Sequence, residues 1–129
     1  MEEKGKNMEH ILKLQPKYFD YINTGTKKIE LRLYDEKRQK INIGDTIIFK
    51  KEPELEINIK AKVIGLLIYN SFDEIVKDFN IEILADKEMS KEKLLNDLEK
   101  YYSLDKQSKF GVVGIKIEKQ YLFRKLKKN

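Results

Sequence analysis

Between Leu55 and Tyr69 the chain carries its longest alternating run, with Ile57, Ile59, Ala61 and Val63 set against Asn58, Lys60 and Lys62. A period of two puts the apolar set on one face of a strand and the polar set on the other. Such a strand belongs in a sheet that is covered on one side, and antiparallel sheets tolerate that arrangement. Gly65 interrupts the run and predicts a bulge or bend. The other long strand signal, Phe110 to Ile117, contains Gly111 and Gly114, which predict close backbone approach or bending, as in a small barrel.

The remaining elements fall around these two. His10 to Leu14 reads as a first strand. Pro16 suits the first position of a helix carrying Tyr18, Phe19, Tyr21 and Ile22, and Gly25 suits its left-handed cap. Lys27–Tyr34 reads as a strand, Asp35 to Ile43 as a polar excursion, and Gly44-Asp45 as a turn into a strand over Thr46 to Lys50. Glu52 to Glu54, with Pro53, makes a hairpin loop. Ser71 and Glu74 have capping-box spacing ahead of a helix from Phe72 to about Phe79. Ser90 opens another helix, with Leu94, Leu95, Leu98, Tyr101 and Tyr102 at helical spacing. Strands and helices do not alternate regularly and nothing repeats. The expected fold is α+β: a small, mostly antiparallel β-barrel with peripheral helices. Residues 1–9 are expected to be a flexible tail, 10–118 the domain and 119–129 a basic tail.

With 129 residues this is most simply one domain, able to form a core without staples. The absence of cysteine excludes disulfides, thiolate metal sites and cysteine nucleophiles, and a single histidine, His10, argues against an imidazole-rich metal site. No metal and no cofactor is expected. No apolar run approaches the length of a membrane span, and residues 1–9 lack the apolar segment of a signal peptide, so a cytoplasmic protein without membrane contact is expected. The net charge of +5 is concentrated: Lys119, Arg124, Lys125, Lys127 and Lys128 supply it, with no acid after Lys119. A basic end can give salt-dependent affinity for phosphates, or can simply be solvated.

The segment Gly25 to Asp45 holds the candidate site. Lys28, Glu30, Arg32 and Tyr34 share one strand face, opposite Ile29, Leu31 and Leu33. Glu30 and Arg32 are close enough to pair, with Lys28 able to join, and Lys27 sits at the strand mouth beside the helix end. These residues can form a cleft offering cations to phosphate and a carboxylate to base amines or hydroxyls. They can equally form an exposed salt-bridge ladder, which contributes little. As catalysts, Lys27 would need a lowered pKa and Glu30 a desolvated site. Asp35, Lys37 and Arg38 can close a rim over ligand or remain a solvated loop. Tyr69 is a stacking candidate. His10 reads as structural or exposed, and Tyr101 and Tyr102 as core or helix-face residues. No Gly-rich nucleotide fingerprint and no Walker motif is present.

The run Gly25-Thr-Lys27-Lys-Ile-Glu30-Leu-Arg32 resembles the G-x-K-x-x-E-x-R signature of the ASCH domain family, small PUA-like proteins. The likeness continues through Leu33 to Arg38, Ile43 to Ile47 and Phe110 to Ile115. It implies a PUA-like pseudo-barrel with a cleft lined by Lys27, Glu30 and Arg32, and binding of RNA or a nucleotide-like ligand; the residues read above add Lys28, Asp35, Lys37, Arg38 and Tyr69 to the candidate binding set. Some relatives are amidohydrolases acting on N4-acetylcytidine, which makes Lys27 and Glu30 the catalytic candidates if this chain is an enzyme. In that branch a threonine stands where this chain has Glu30, and neither Glu74, Glu82 nor Glu88 matches the branch's downstream glutamate. Three readings stand open: an RNA- or nucleotide-binding domain, a nucleoside deacylase, and a ribonuclease or protein-interaction module. A closed pocket of nucleoside size would favour the enzyme and an open groove RNA binding. Glu30 paired with Arg32 on a convex face would favour the interaction module.

Overall fold

The computed structural model describes residues 7–125. The chain runs β1 (Glu9–Leu14), α1 (Pro16–Asn23), β2 (Ile29–Leu33), a 3-10 turn (Arg38–Lys40), β3 (Thr46–Lys51), β4 (Ile57–Tyr69), α2 (Phe72–Asp78), α3 (Ile81–Leu84), α4 (Lys91–Tyr101), α5 (Leu104–Phe110) and β5 (Val112–Arg124). The five strands form one sheet in the order β1-β3-β4-β5-β2. Three pairings are antiparallel, and β1 lies parallel to β3. The expected α+β architecture is present, as a curled sheet that is not hydrogen-bonded shut.

β4 and β5 are the spine. Their ladder shifts register between Lys60 and Ala61 and between Val63 and Gly65, the second at the expected glycine. The bulges bend the ladder, so one sheet serves two cores. Inside the curl, Leu12, Leu14, Ile47, Phe49, Ile59, Ala61, Val63, Val113, Ile115 and Ile117 enclose Phe19 and Ile22 of α1. On the reverse face near β2, Ile29, Leu31, Leu33 and Val112 pack with Phe72, Ile75, Val76, Leu84 and Leu94 of the helical layer. Gly114 permits that second contact, because a Cβ there would stand 2.6 Å from Ile75 Cδ1.

Ser71 Oγ accepts from Glu74 N at 3.3 Å and Ser90 Oγ from Lys93 N at 3.0 Å, as the cap spacing predicts. Two helices go beyond the sequence reading. α3 is a single turn, too short to show a period. α5 starts at the Ser103 cap, and it takes Phe110 out of the expected last strand. Gly111, at φ +73°, then turns the chain into β5. At the other end β5 continues past the expected limit of Ile117 to Arg124. Lys119 to Arg124 are therefore ladder residues rather than a tail, while Lys127 and Lys128 lie outside the described residues. β1 likewise starts at Glu9, inside the segment expected to be flexible. Of the two roles expected for His10, structural or exposed, the first holds: its Nε2 lies 2.8 Å from Asp45 Oδ2, and the Asp45 carboxylate also accepts from Met8 N and Asn42 N. No helix among the described residues is long and apolar enough to cross a membrane.

Candidate functional site

The end of α1 sets the site. Gly25 takes φ +86° and donates to Ile22 O, while Thr26 N and Lys27 N both donate to Tyr21 O at 3.1 Å. This cap turns Lys27 inward although its parity is wrong for the polar face of β2. Lys27 is 3% exposed, Glu30 5% and Arg32 9%. Lys27 Nζ donates to Ile29 O at 2.6 Å and Leu84 O at 2.7 Å and lies 3.4 Å from Glu30 Oε1. Arg32 Nε donates to Glu30 Oε2 at 2.7 Å, and its Nη2 donates to Lys13 O at 2.7 Å. Glu30 therefore lies between two cations.

Burial is the largest single influence on all three groups, but it sets the direction only for Lys27. It pushes the Lys27 ammonium below its usual range, more strongly than Glu30 pulls it up. Burial also raises the Glu30 carboxyl, but Arg32 and Lys27 together outweigh it and hold Glu30 below the usual carboxylate range. For Arg32, burial acts downward, and Glu30, together with Tyr102 and Glu52, more than restores it.

The triad forms the floor of a cavity of about 290 Å³. Tyr18, Tyr101 and Tyr102 stand in its wall, with Leu31, Leu94 and Leu98 as the apolar part, and Lys13, Gln15, Glu52 and Asp97 also lining it. Asp97 Oδ2 accepts from the Tyr18 hydroxyl at 2.9 Å, and Lys17 and Lys93 also bind its carboxylate. Burial, reinforced by the Asp97 bond, raises the Tyr18 phenol, so Tyr18 stays a neutral hydroxyl donor. Gln15 Nε2 donates to the Tyr101 hydroxyl. Gln107, buried, accepts from Phe72 N and donates to Tyr102 O, fixing the end of α4 from behind.

The cavity thus gathers Lys27, Glu30 and Arg32 of the residues expected from sequence. It does not gather Lys28, Asp35, Lys37, Arg38 or Tyr69. Lys28 is exposed. Asp35 accepts from Arg38 N and pairs with Arg38 Nη1 at 2.9 Å, closing its own turn, and Lys37 is exposed beside it. Tyr69 donates to Asp78 at 2.6 Å at the far end of β4. The tyrosines and Asp97 are what the sequence reading missed. Tyr101 and Tyr102 have the spacing of core residues, and only tertiary packing reveals their second role. Of the acids outside the signature, Asp97 and Glu52 reach the cavity, whereas Glu74, Glu82 and Glu88 do not. Glu30 and Arg32 are paired, but in a concavity and not on a convex face, contrary to the mark of a purely structural ladder. No cluster among the described residues has the composition of a metal site.

The family model described as "ASCH domain" matches residues 12–120. The chain is similar to the crystal structure of hypothetical protein PH0355, with 38% identity over 88% of this chain and 99% of that one and a TM-score of 0.76. It is similar to protein PF0455 from Pyrococcus furiosus, at 34% identity over 87% and 96% of the two chains, with a TM-score of 0.68. A mutant of ZmASCH from Zymomonas mobilis shares the fold at 14% identity, covering 85% of this chain and 67% of that one, with a TM-score of 0.61. No curated protein matches.

Proposed function

The chain belongs to the ASCH domain family, and from that premise we propose that its cavity takes up one unstacked base, presented by RNA or as a free nucleoside. The observation that carries this reading is the union of a tyrosine wall with a buried carboxylate–guanidinium floor in about 290 Å³. That volume is at the lower end of small-molecule sites, suited to a base or nucleoside rather than a folded oligonucleotide. Arg32 Nη1 has no protein acceptor among the described residues, so it is available to a base carbonyl. Glu30, acceptor-only when ionised, is available beside it to an amino or imino N–H. This acceptor–donor pair matches one edge of a base, while Tyr18, Tyr101 and Tyr102 offer ring contacts. Stacking of this kind contributes about 1–3 kcal/mol per base.

Calorimetric titration with cytidine, uridine, adenosine and guanosine tests the reading, with Leu98→Trp as the variant that fills the cavity. The expected result is binding of at least one nucleoside that Leu98→Trp weakens at least tenfold. No heat with any of the four at millimolar ligand overturns it.

A second reading, deacylation of a modified nucleoside, is favoured by Lys27, a buried amine held below its usual range at the cavity floor. Against it stands the geometry of that amine. Two of its protons are committed to the Ile29 and Leu84 carbonyls, and its third direction meets Glu30. Water activation would then need Glu30 to take a proton as general base, in a site where both cations favour its ionised form. Release of cytidine from N4-acetylcytidine, abolished by Lys27→Ala, would establish this reading, and no release above the control would remove it.

A further inference from the structure

The helical layer covers the outer side of the sheet only near β2 and the first half of β5. Beyond that, the polar face of β3, β4 and the second half of β5 shows Lys62, Lys116 and Tyr121 fully and Lys50, Lys60 and Phe123 partly to solvent, around Ile48 and Asn58, which their neighbours bury. Cross-strand partners share a face, so Lys60 lies beside Tyr121, Lys50 beside Asn58, Asn58 beside Phe123, and Lys116 beside Gly65. The side chains agree with the register. Lys60 Nζ stands 5.7 Å from the centre of the Tyr121 ring, and Tyr121 and Phe123 rings are 5.8 Å apart. Lys116 lies across Gly65, whose missing Cβ would stand 2.9 Å from Lys116 Cδ. Tyr121 is 50% exposed. Glu118, opposite Lys62, is the one carboxylate on this stretch of ladder, and Glu56 at its border is paired with Arg124 at 3.7 Å.

We propose that this outer face is a track for single-stranded nucleic acid: Lys50, Lys60, Lys62 and Lys116 meet phosphates, and Tyr121 and Phe123 stack on unpaired bases. Charge complementarity selects the occupant. Four lysines around two adjacent aromatic rings suit a flexible polyanion with exposed π-faces, and they suit poorly an acidic protein surface without flat groups to stack. A duplex presents the same charge but keeps its bases from the rings. The track also has a direction. Lys50 is the cross-strand partner of Lys13, and Lys13 lines the cavity on the other side of β1. A strand lying over β5, β4 and β3 therefore arrives at the cavity mouth. The inference does not depend on what the cavity holds.

The test is fluorescence anisotropy of labelled (U)12 and (dT)12 with the full chain across a salt series. The parent is expected to bind at least one strand with a log–log salt slope near −3, for about four phosphates neutralised. Lys60→Gln/Lys62→Gln/Lys116→Gln, all at the surface, should reduce the slope by about two. Tyr121→Ala should cost roughly tenfold in affinity at any salt. Nucleoside titration of the same variants should match the parent, which separates failure of the track from failure of the cavity reading. Absence of binding to both strands overturns the proposal. So does a triple variant with the parent's affinity and slope, or equal parental affinity for a duplex of the same length.

Discussion

Arg32 on β2 donates through Nη2 to the carbonyl of Lys13 on β1 at 2.7 Å, and so joins the two edge strands of a sheet whose own ladder leaves them apart. The same guanidinium neutralises Glu30 through Nε. One side chain thereby completes the curl and forms part of the cavity floor, which gives Arg32 a structural role separable from any ligand.

Arg32→Leu is expected to destabilise the fold by about 3–5 kcal/mol, because it leaves a buried carboxylate short of a partner and releases β1. Arg32→Lys should recover only part of this loss, since one ammonium lacks the planar fork that reaches both acceptors. Urea denaturation of the three proteins checks it. A Leu variant within 1 kcal/mol of the parent would remove Arg32 from the list of groups closing the sheet.

Gly114 is where β5 passes between the two cores. An added Cβ would meet Ile75 Cδ1 at 2.6 Å and Ile29 Cγ2 at 3.0 Å, both in buried side chains with little room to yield. Gly114→Ala is expected to cost about 1–3 kcal/mol through overpacking. The control is Gly65→Ala, whose Cβ would meet Lys116 Cδ at 2.9 Å and Cβ at 3.3 Å, in a side chain that is exposed and freer to swing aside than buried Ile75 and Ile29, and should cost less. Thermal denaturation of both variants would read the difference, and equal losses would place the effect in strand flexibility rather than packing.

The floor of the site was readable in the sequence because Lys27, Glu30 and Arg32 lie within six residues, where strand parity and a helix cap decide direction. The spine was readable because Ile57 to Val63 alternate cleanly. What could not be read depends on distant packing. Tyr18 meets Asp97 across 79 positions, and nothing local distinguishes Tyr101 and Tyr102 from core residues. Asp35 and Arg38 have the composition of a binding rim, yet at i,i+3 spacing they pair with each other through Arg38 Nη1. The length of β5 was misread because charge outweighed pattern. Residues 119–124 carry lysine and arginine like a tail, but Tyr121 and Phe123 alternate with Leu122 as a strand requires.

Glu30 also sets the acid limit of stability. Its folded pKa lies below its ordinary value of about 4.3, so the unfolded chain binds more protons in the acid window. Its stabilisation is fully present above about pH 5 and disappears as pH falls through the depressed folded value. Asp45 and Asp97, also held below their usual range once their hydrogen bonds outweigh burial, act in the same direction. Glu30→Gln removes the first contribution and leaves Lys27 and Arg32 buried without their counter-ion. That variant is expected to be less stable than the parent at pH 7 and to lose less on acidification, so that the two curves approach one another near pH 2–3. Urea midpoints measured from pH 7 down to pH 2.5 test this. Parallel acid limbs would mean that Glu30 is not ionised in the folded protein, and the carboxylate between two cations would have to be redrawn as a neutral acid.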